Sequence, residues 1–472
     1  MSIIKKSLGL YLDFYELTMA QGYFLTGRGN LKANFDYFFR NNPFKSGYTI
    51  FAGLNDLFEL LNDFKFDDES IDYLNQLGFK DEFIDYLKSF SFKGTIFSVN
   101  EGEIVFPYEP VVRVEGNIIE TQLIESLLLN VINFESLIAT KARRIRYSAG
   151  NRKVADFGLR RAQGLSAIFA SRAAVIGGVD NTSNVLSAFI YDINPTGTQA
   201  HSWIQSFEDE LIAFRKFAEL YPQNCVLLVD TFDTLKSGIP NAIKVAKELE
   251  EKGYKLSAIR LDSGDLAYLS KKARKMLDDA GLNYVKIIAS NQLDEYLIKS
   301  LIEQGAPIDA FGVGTNLITG KNDAALDGVY KISMTDNKPV IKVSDDVSKV
   351  TLPGIKTIFR YYNGENKFYA DCIALNDEDE IDIMHHPFDI YKQCNLTGLK
   401  KELLISKVYE SGKVLMNIKS TKEIAEFTNY RFSLLPEEHK RFEYPHVYKV
   451  GISTKLKNLR DEFIRKMKGG VK

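Results

Sequence analysis

Five short apolar runs between residues 154 and 319 each end at side chains that could do chemistry. In chain order, the runs and the residues that follow them are 154–158 with Arg160 and Arg161, 224–229 with Asp230 and Asp233, 256–259 with Arg260, Asp262 and Asp265, 285–289 with Ser290 and Asn291, and 308–311 with Gly312, Gly314 and Thr315. The two adjacent guanidinium groups could clamp a carboxylate or a diphosphate, because their N–H groups match those anions. The same two arginines could also form a surface ion pair.

The segment 260–265 combines one cation with two carboxylates. Such a set could hold ribose hydroxyls and a diphosphate bound to Mg²⁺, which proteins usually bind through one or two carboxylates plus phosphate oxygens. Asp262 or Asp265 is then the candidate metal ligand. Asp or Ser before Gly can also be only the cap of the next helix, and the spacing alone leaves both interpretations open.

The sequence Gly312-Val-Gly314-Thr315 could bind a phosphate through its backbone N–H groups and the threonine hydroxyl. Two glycines in a loop are common, so the motif is weak on its own. It gains weight because a phosphate site needs a cation and a carboxylate nearby, and the other strand ends supply both.

His201 is the only histidine between residues 154 and 330. It lies just after a glycine turn, where a ring nitrogen could receive a phosphoryl group. Lone histidines more often serve packing or a hydrogen bond, so its role depends on its neighbours in space. Among the aromatic residues, Tyr15 and Phe157 are the candidates to sandwich a flat ring, whereas most others fit apolar core faces.

The elements that must position these residues are predicted from the same apolar runs. Parallel strands covered by helices are apolar without alternation, and helix-like stretches follow the runs, so we predict a β/α barrel over 126–330. In such a barrel the C-terminal strand ends face a common site. Residues far apart in sequence would therefore converge there.

With 472 residues the chain exceeds the usual size of a single hydrophobic core, so further domains are predicted. Residues 1–125 show the patterns of an N-terminal α/β domain, with helices over 10–25 and 53–61 and strands over 34–40, 94–99 and 102–114. Residues 331–472 combine short strands, turn signals and a polar helical tail, which predicts an extension that packs on the N-terminal domain and the barrel.

The bulk composition excludes several classes of protein. Lys and Arg number 60 against 62 Asp and Glu, which gives no reason to expect nucleic acid or an anionic membrane as a partner. The three cysteines are too few and too scattered for a secreted disulfide framework. No uninterrupted apolar run approaches the length of a transmembrane helix. We expect a cytoplasmic protein that binds small molecules.

Seven segments, in this order, resemble the nicotinate phosphoribosyltransferases across nearly the whole chain. They are 13–19, 38–44, 157–164, 178–184, 197–201, 260–265 and 312–315. Each is weak alone, but all seven in register are highly specific. The resemblance implies a type II phosphoribosyltransferase architecture, in which an N-terminal α/β domain joins an irregular, TIM-like β/α barrel, usually in a homodimer whose subunits share the active sites.

The reaction implied by the resemblance joins nicotinate to 5-phosphoribosyl diphosphate in NAD biosynthesis, with Mg²⁺ as cofactor and ATP as a co-substrate hydrolysed through a phosphohistidine. It also implies catalysis by Arg260, Asp262 and His201, the last being phosphorylated. The implied nicotinate-binding residues are Tyr15 (from the neighbouring subunit), Phe157, Arg160, Ser183, Thr198 and Arg260. The implied phosphoribosyl diphosphate-binding residues are Arg160, Arg260, Asp262, Gly314 and Thr315.

Two other functions remain open at this point. The related nicotinamide phosphoribosyltransferases carry an aspartate in the base pocket where this chain has Ser183, and a carboxylate there would repel nicotinate. Ser183 therefore favours the acid as substrate. A barrel that binds a phosphorylated metabolite without turnover is the second alternative, while a lyase or aldolase would need a lysine or a metal cluster at the strand ends, where neither is found.

Overall fold

The computed structural model of the chain describes residues 7–344 and 349–469, so residues 1–6, 345–348 and 470–472 of the predicted domains lie outside it. In chain order the helices are α1 (Phe14–Leu25), α2 (Leu54–Asp63), α3 (Asp68–Gln76), α4 (Asp81–Lys88), α5 (Ile118–Leu123), α6 (Glu125–Ala149), α7 (Ala167–Ile176), α8 (Val185–Tyr191), α9 (His201–Gln205), α10 (Glu210–Leu220), α11 (Ile239–Glu251), α12 (Leu266–Asp279), α13 (Glu295–Glu303), α14 (Thr315–Ile318), α15 (Thr421–Leu434) and α16 (Thr454–Gly469). None of the helices in the described part of the chain has the length and apolar character needed to cross a membrane.

The strands follow the same order. They are β1 (Lys32–Phe39), β2 (Thr49–Ile50), β3 (Thr95–Ser98), β4 (Ile104–Val105), β5 (Val112–Asn117), β6 (Lys153–Asp156), β7 (Asn181–Thr182), β8 (Val226–Leu228), β9 (Ala258–Leu261), β10 (Lys286–Ser290), β11 (Ala310–Val313), β12 (Gly328–Thr335), β13 (Lys338–Pro339), β14 (Lys356–Tyr362), β15 (Phe368–Leu375), β16 (Ile383–His385), β17 (Gln393–Asn395), β18 (Lys400–Leu403), β19 (Ser406–Glu410), β20 (Lys413–Val414) and β21 (Val450–Ser453).

The chain divides into two units. The first contains the described residues up to Leu137, Ala325–Lys419 and the residues from Glu426 onward, and the second contains Ile138–Ala324 and Ser420–Ala425. The described residues of the extension predicted over 331–472 are divided between these units. Most of them join the first unit, because β12 and β19 complete a seven-stranded sheet that β1, β3 and β5 begin, in the order β13-β12-β1-β5-β3-β19-β20.

The first unit buries an apolar core against this sheet. Helix α2 shows how the sequence builds it, because Leu54, Leu57, Phe58 and Leu61 recur at helical spacing and are all buried. The ring of Phe58 stacks on Tyr409 of β19 with centroids 5.5 Å apart. A second sheet in this unit has the order β17-β16-β21-β15-β14-β18.

The second unit contains a six-stranded parallel sheet in the order β7-β6-β11-β10-β9-β8. Beyond β7, Pro195 forms a parallel bridge with Thr182. Gln199, which is buried, then donates from Nε2 to the Val226 carbonyl oxygen of β8 at 3.4 Å. The irregular segment 195–199 thus lies between the two edge strands, which makes this an irregular β/α barrel.

Several predicted boundaries were wrong by a few residues. Arg260 and Gly312 lie inside β9 and β11, not after them, since the apolar runs stop before the strand hydrogen bonds do. The predicted helix over 10–25 is α-helical only from Phe14, after a short 3-10 turn. The predicted strand over 102–114 is two strands, because Pro107 and Pro110 fall between them and cannot donate to a ladder.

Candidate functional site

The C-terminal ends of the barrel strands surround one cavity of about 450 Å³. It is lined by Phe157, Leu159, Arg160, Arg161, Ser183, Gly197, Thr198, Gln199, Ala200, Arg260, Asp262, Ser290, Asn291, Gln292, Gly312, Gly314 and Thr315. The structure therefore brings together every binding residue predicted within the barrel region.

Arg260 presents an unpaired donor to this cavity. One terminal nitrogen of its guanidinium donates to the Thr198 hydroxyl, which holds the group at the end of β9. Its Nε–H group is buried and has no hydrogen-bond partner among the described residues. Burial lowers the pKa of Arg260, while the carboxylates of Asp262 and Asp230 oppose this shift. A buried donor without a partner, beside a cavity, is suited to bind an acceptor on a ligand.

His201 is the first residue of α9, and its ring lies beside two carboxylates. Nε2 is 3.8 Å from Asp262 Oδ2 and 4.0 Å from Asp230 Oδ1, and Nδ1 is 3.1 Å from the Thr231 hydroxyl. Carboxylates only accept, so they favour the N–H proton on Nε2, and Nδ1 then accepts from Thr231. The ring is 39% exposed and can be reached by a reactant.

Asp230 lies beside His201, but no role was predicted for it from the sequence. Its Oδ2 accepts from the Asp262 backbone N–H group and from the Ser263 hydroxyl, both at 2.7 Å. Its Oδ1 is buried without a partner among the described residues and faces His201. The only signal in the sequence was an acidic residue at a strand end.

Asp156, the last residue of β6, organises one wall of the cavity. Its buried carboxylate accepts three hydrogen bonds, from Gly158 N at 2.7 Å, Ser171 Oγ at 2.8 Å and Thr182 Oγ1 at 2.8 Å. The two hydroxyls in turn accept from the Asn184 side-chain and backbone N–H groups. Burial raises the pKa of Asp156, and these hydrogen bonds oppose the rise. The network fixes residues 157 and 183, which lie between its members.

Phe157 and Gly312 pack closely in the same wall. A Cβ on Gly312 would lie 2.4 Å from ring atoms of Phe157, so only glycine leaves room for the ring. Gly314 and Thr315 follow at the start of α14. The glycines of this motif therefore have at least one packing role besides the phosphate-binding role predicted for them.

The two candidate magnesium ligands have different surroundings. Asp265 caps α12 by accepting from the Tyr268 backbone N–H group at 3.0 Å, and it does not line the cavity. Asp262 does line it, with Oδ1 bonded to the Ser290 hydroxyl and Oδ2 free of such a bond. The described residues contain no cluster of three or more metal-ligating side chains. Asp262 with phosphate oxygens of a ligand fits the usual magnesium donor set.

Tyr15 lies on α1 in the first unit, and its side chain is 45% exposed. Burial of part of the ring and the nearby carboxylate of Glu125 raise its pKa. Its predicted partner in stacking, Phe157, lies in the second unit. The role predicted for Tyr15 therefore stays a prediction.

Comparison with known proteins decides the family. Residues 152–392 match the family model described as "Nicotinate phosphoribosyltransferase (NAPRTase) family". Residues 10–133 and 355–460 match the models of its N-terminal and C-terminal domains. The chain belongs to the nicotinate phosphoribosyltransferase family. The resemblance found in the sequence is thereby confirmed.

Members of this family from distant organisms are similar over nearly their whole length. The nicotinate phosphoribosyltransferase of Bacillus subtilis is 44% identical over 458 residues, covering 95% of this chain and 93% of that protein. The protein of the same name from Dictyostelium discoideum is 37% identical, covering 95% and 86%.

Solved structures confirm the fold class. Human nicotinic acid phosphoribosyltransferase superposes with a TM-score of 0.86 at 28% identity, covering 95% of this chain and 99% of that one. A nicotinate-nucleotide pyrophosphorylase from Pyrococcus furiosus gives a TM-score of 0.72 at 25% identity, covering 90% and 95%. The predicted type II phosphoribosyltransferase architecture, an N-terminal α/β domain with an irregular β/α barrel, is therefore correct.

Proposed function

We propose that this protein joins nicotinate to 5-phosphoribosyl diphosphate in the NAD biosynthesis of the cytoplasm, releasing nicotinate mononucleotide and diphosphate, with ATP hydrolysis coupled through phosphorylated His201. The observation that carries the proposal is a shared neighbour: the unpaired donor of Arg260 and the ring of His201 both lie near the carboxylate of Asp262, and Arg260 and Asp262 line the cavity. The names of the relatives support the choice of substrate.

The residue types fit the proposed transfer. The carboxylate of nicotinate would accept from Arg260, with Arg160 adding positive charge and the Ser183 hydroxyl adding a neutral donor. Thr198 would hold Arg260 in place, and Phe157 would cover one face of the pyridine ring. The pyridine nitrogen already carries its lone pair, so the reaction needs orientation and charge stabilisation but no general base.

The diphosphate is the leaving group, and its negative charge must be stabilised as the bond to the anomeric carbon breaks. Mg²⁺ supplies part of that stabilisation when bound. Asp262 would hold the metal or the ribose hydroxyls, and Gly314 with Thr315 would hold the 5-phosphate. Asp230 Oδ1, which has no hydrogen-bond partner among the described residues, is a further carboxylate oxygen beside His201.

In the proposed coupling step, a ring nitrogen of His201 bonds to the γ-phosphorus of ATP as the bond to ADP breaks, and water later takes the phosphoryl group. The carboxylates beside Nε2 stabilise the N–H proton of the ring. Phosphorylation adds negative charge next to Asp230 and Asp262, which favours a changed arrangement of the site.

The test is an assay of purified protein with nicotinate, nicotinamide or quinolinate, each with and without ATP. We expect turnover of nicotinate with stimulation by ATP. The His201→Ala variant should lose the stimulation, keep some ATP-independent transfer and take no label from γ-labelled ATP. His385→Ala, which alters a histidine bonded to Thr454 in the first unit, is the matched control and should behave as wild type.

Each part of the proposal has its own contradicting result. Preference for nicotinamide would overturn the proposal that nicotinate is the substrate. Absence of any transfer would favour the alternative of a barrel that binds a phosphorylated metabolite without turnover. Equal loss of both rates in the His201 variant, or a wild-type protein that takes no label, would count against the phosphohistidine.

A further inference from the structure

The loop between β10 and α13 is strained where it lines the cavity. Asn291 and Gln292 have φ angles of 86° and 53°, in the left-handed region that residues with a Cβ rarely adopt. Both residues line the cavity at the strand ends. Two successive residues in this conformation persist only where surrounding contacts hold them there.

The contact that holds the middle of this loop comes from Asn316 on α14. Its side-chain amide donates from Nδ2 to the carbonyl oxygens of Gln292 at 2.7 Å and Leu293 at 3.0 Å. Asn316 is only 2% exposed, and its bond to Leu293 is buried, while its bond to Gln292 is partly buried. Its orientation is determined by its neighbours, since turning the amide would place Oδ1 against two carbonyl oxygens.

The two ends of the loop are held by other residues. At one end, the Ser290 hydroxyl donates to Asp262. At the other, Asp294 caps α13 by accepting from the backbone N–H groups of Tyr296 and Leu297. The left-handed residues lie between these anchors, where Asn316 provides the side-chain support.

We propose that Asn316 is a positioning residue for the phosphoribosyl diphosphate end of the cavity, an inference that rests on the proposed function. It ties the loop after β10 to the segment after β11 that contains Gly314 and Thr315, so the two sides of this end keep a fixed separation. At the nicotinate end, Phe157 and Ser183 are held instead by the hydrogen bonds of Asp156, so we expect that end to depend less on this contact.

Asn316→Ala tests the inference by steady-state kinetics. The loss of two hydrogen bonds from a buried amide should raise KM for phosphoribosyl diphosphate about ten-fold, whereas KM for nicotinate should change by less than about two-fold. Asn241→Ala is the matched control, because its Nδ2 also supports a neighbour, Glu210, but between helices outside the cavity lining. Asn316→Ser, which keeps one donor, replaces the alanine variant if that variant fails to fold.

A rescue and a measurement without substrate complete the test. Glycine adopts the left-handed region readily, so adding Gln292→Gly to Asn316→Ala should lower KM for phosphoribosyl diphosphate again. Hydrogen exchange over residues 290–294 should be faster in Asn316→Ala than in wild type, even with no substrate present.

The outcomes separate this inference from the proposed function. A wild-type protein without transfer activity refutes the function, and the exchange experiment still tests the contact. An active wild type with unchanged KM for phosphoribosyl diphosphate and unchanged exchange in the variant overturns the inference. An equal rise in both KM values would show a general structural role and overturns it as well.

Discussion

Among the residues of the cavity, Arg260 is the one that we expect to contribute more to binding than to the fold. Its guanidinium donates a side-chain hydrogen bond to Thr198, and its buried Nε–H group is unpaired among the described residues. Arg260→Ala should therefore lower kcat/KM about 100-fold or more, as expected when a desolvated charge contact is lost, while the melting temperature changes little. Steady-state kinetics and thermal unfolding measure the two effects.

Arg274→Ala is the matched control for this prediction. Arg274 donates to the carbonyl oxygens of Val285 and Leu282 and pairs with Asp278, so it supports the fold and not the cavity. Its loss should lower the melting temperature and leave kcat/KM unchanged. Wild-type kinetics in Arg260→Ala would show that the unpaired donor has no ligand.

The sequence predicted which residues line the cavity better than it predicted which residues hold them. Arg260 and His201 stand out because charge or imidazole at a strand end is chemically conspicuous. Asp156 does not, because it lies inside an apolar run and its partners, Ser171 and Thr182, meet it only in the folded chain. The sequence places the acidic Asp230 at a strand end, but only the folded structure shows its unpaired oxygen beside His201.

At the scale of elements, the network of Asp156 joins β6, α7 and β7. Asp156→Asn replaces one acceptor oxygen with an N–H₂ group, so either the bond from Gly158 N–H to Oδ1 is lost or the two hydroxyl bonds to Oδ2 must be lost or reverse. Because Phe157 and Ser183 depend on this network, KM for nicotinate should rise about ten-fold, with little change in KM for phosphoribosyl diphosphate. Kinetics with each substrate varied in turn measure the difference.

Asp309→Asn is the control for this variant. Asp309 accepts from the Ile287 backbone N–H group near the beginning of β10, at the opposite end of the sheet from the cavity. Asp309→Asn should alter stability without changing KM for nicotinate relative to KM for phosphoribosyl diphosphate. If Asp156→Asn raised both KM values together, the network would support the fold in general and not the nicotinate wall.

Helix α1 carries a buried carboxylate that makes stability depend on pH. Glu16 is fully buried and accepts from Ser126, and burial raises its pKa from 4.5 to about 7. Because the folded state binds the proton more tightly, this contribution to stability is present below about pH 4.5 and is lost as pH rises to about 7.

Glu16→Gln should therefore raise the melting temperature at about pH 8 by a few degrees and have little effect at about pH 5. The glutamine oxygen can still accept from Ser126, and no charge is buried. Glu219→Gln should instead lower the melting temperature at about pH 8, because the pair with Lys216 lowers the pKa of the exposed Glu219 carboxyl. A pH-independent effect of Glu16→Gln would contradict the prediction.

The types of the barrel elements could be predicted from the sequence, but the way in which the sheet closes into a barrel could not. Buried parallel strands leave apolar runs in the sequence, whereas segment 195–199 has no strand pattern and joins the edge strands through Gln199. Strand ends were also uncertain, because a residue such as Arg260 can stay in the ladder with a polar tip in the cavity. Local patterns do not encode either feature.

At the scale of the whole molecule, pairing between distant strands escaped the sequence. Strand β1 pairs with β12, about 300 residues later, with Phe35 opposite Ile332 and stacked on Tyr330 at 4.7 Å. Such pairs have no local signal, because each strand alone shows only alternation or an apolar run. The sequence therefore predicted that residues 331–472 pack on the N-terminal domain, but not that their strands extend its sheet.

Assembly is the remaining property of the whole molecule, and we propose a homodimer with shared sites. Both α1 and α8 expose apolar side chains, with Phe14 at 59% and Tyr15 at 45% exposure on α1, and Val185 at 70% and Phe189 at 85% on α8. Helix α8 begins two residues after Ser183 in the cavity wall. Phe189→Glu should therefore produce monomers in analytical ultracentrifugation and reduce activity.

Mixing two variants that each lack the ATP-stimulated rate tests whether the sites are shared. If Tyr15 acts in the site of its neighbour, a heterodimer of Tyr15→Ala and His201→Ala contains one intact site and one site with both changes. Random exchange of subunits should then restore about a quarter of the ATP-stimulated rate, because half of the dimers are mixed and half of their sites are intact.

The control is a mixture of His201→Ala and Arg260→Ala. These variants cannot complement each other, because both alter the same subunit's contribution to the site. A mixture of the first pair that stays at the mean of its components would place Tyr15 and His201 in the same subunit's site, or remove Tyr15 from the reaction altogether.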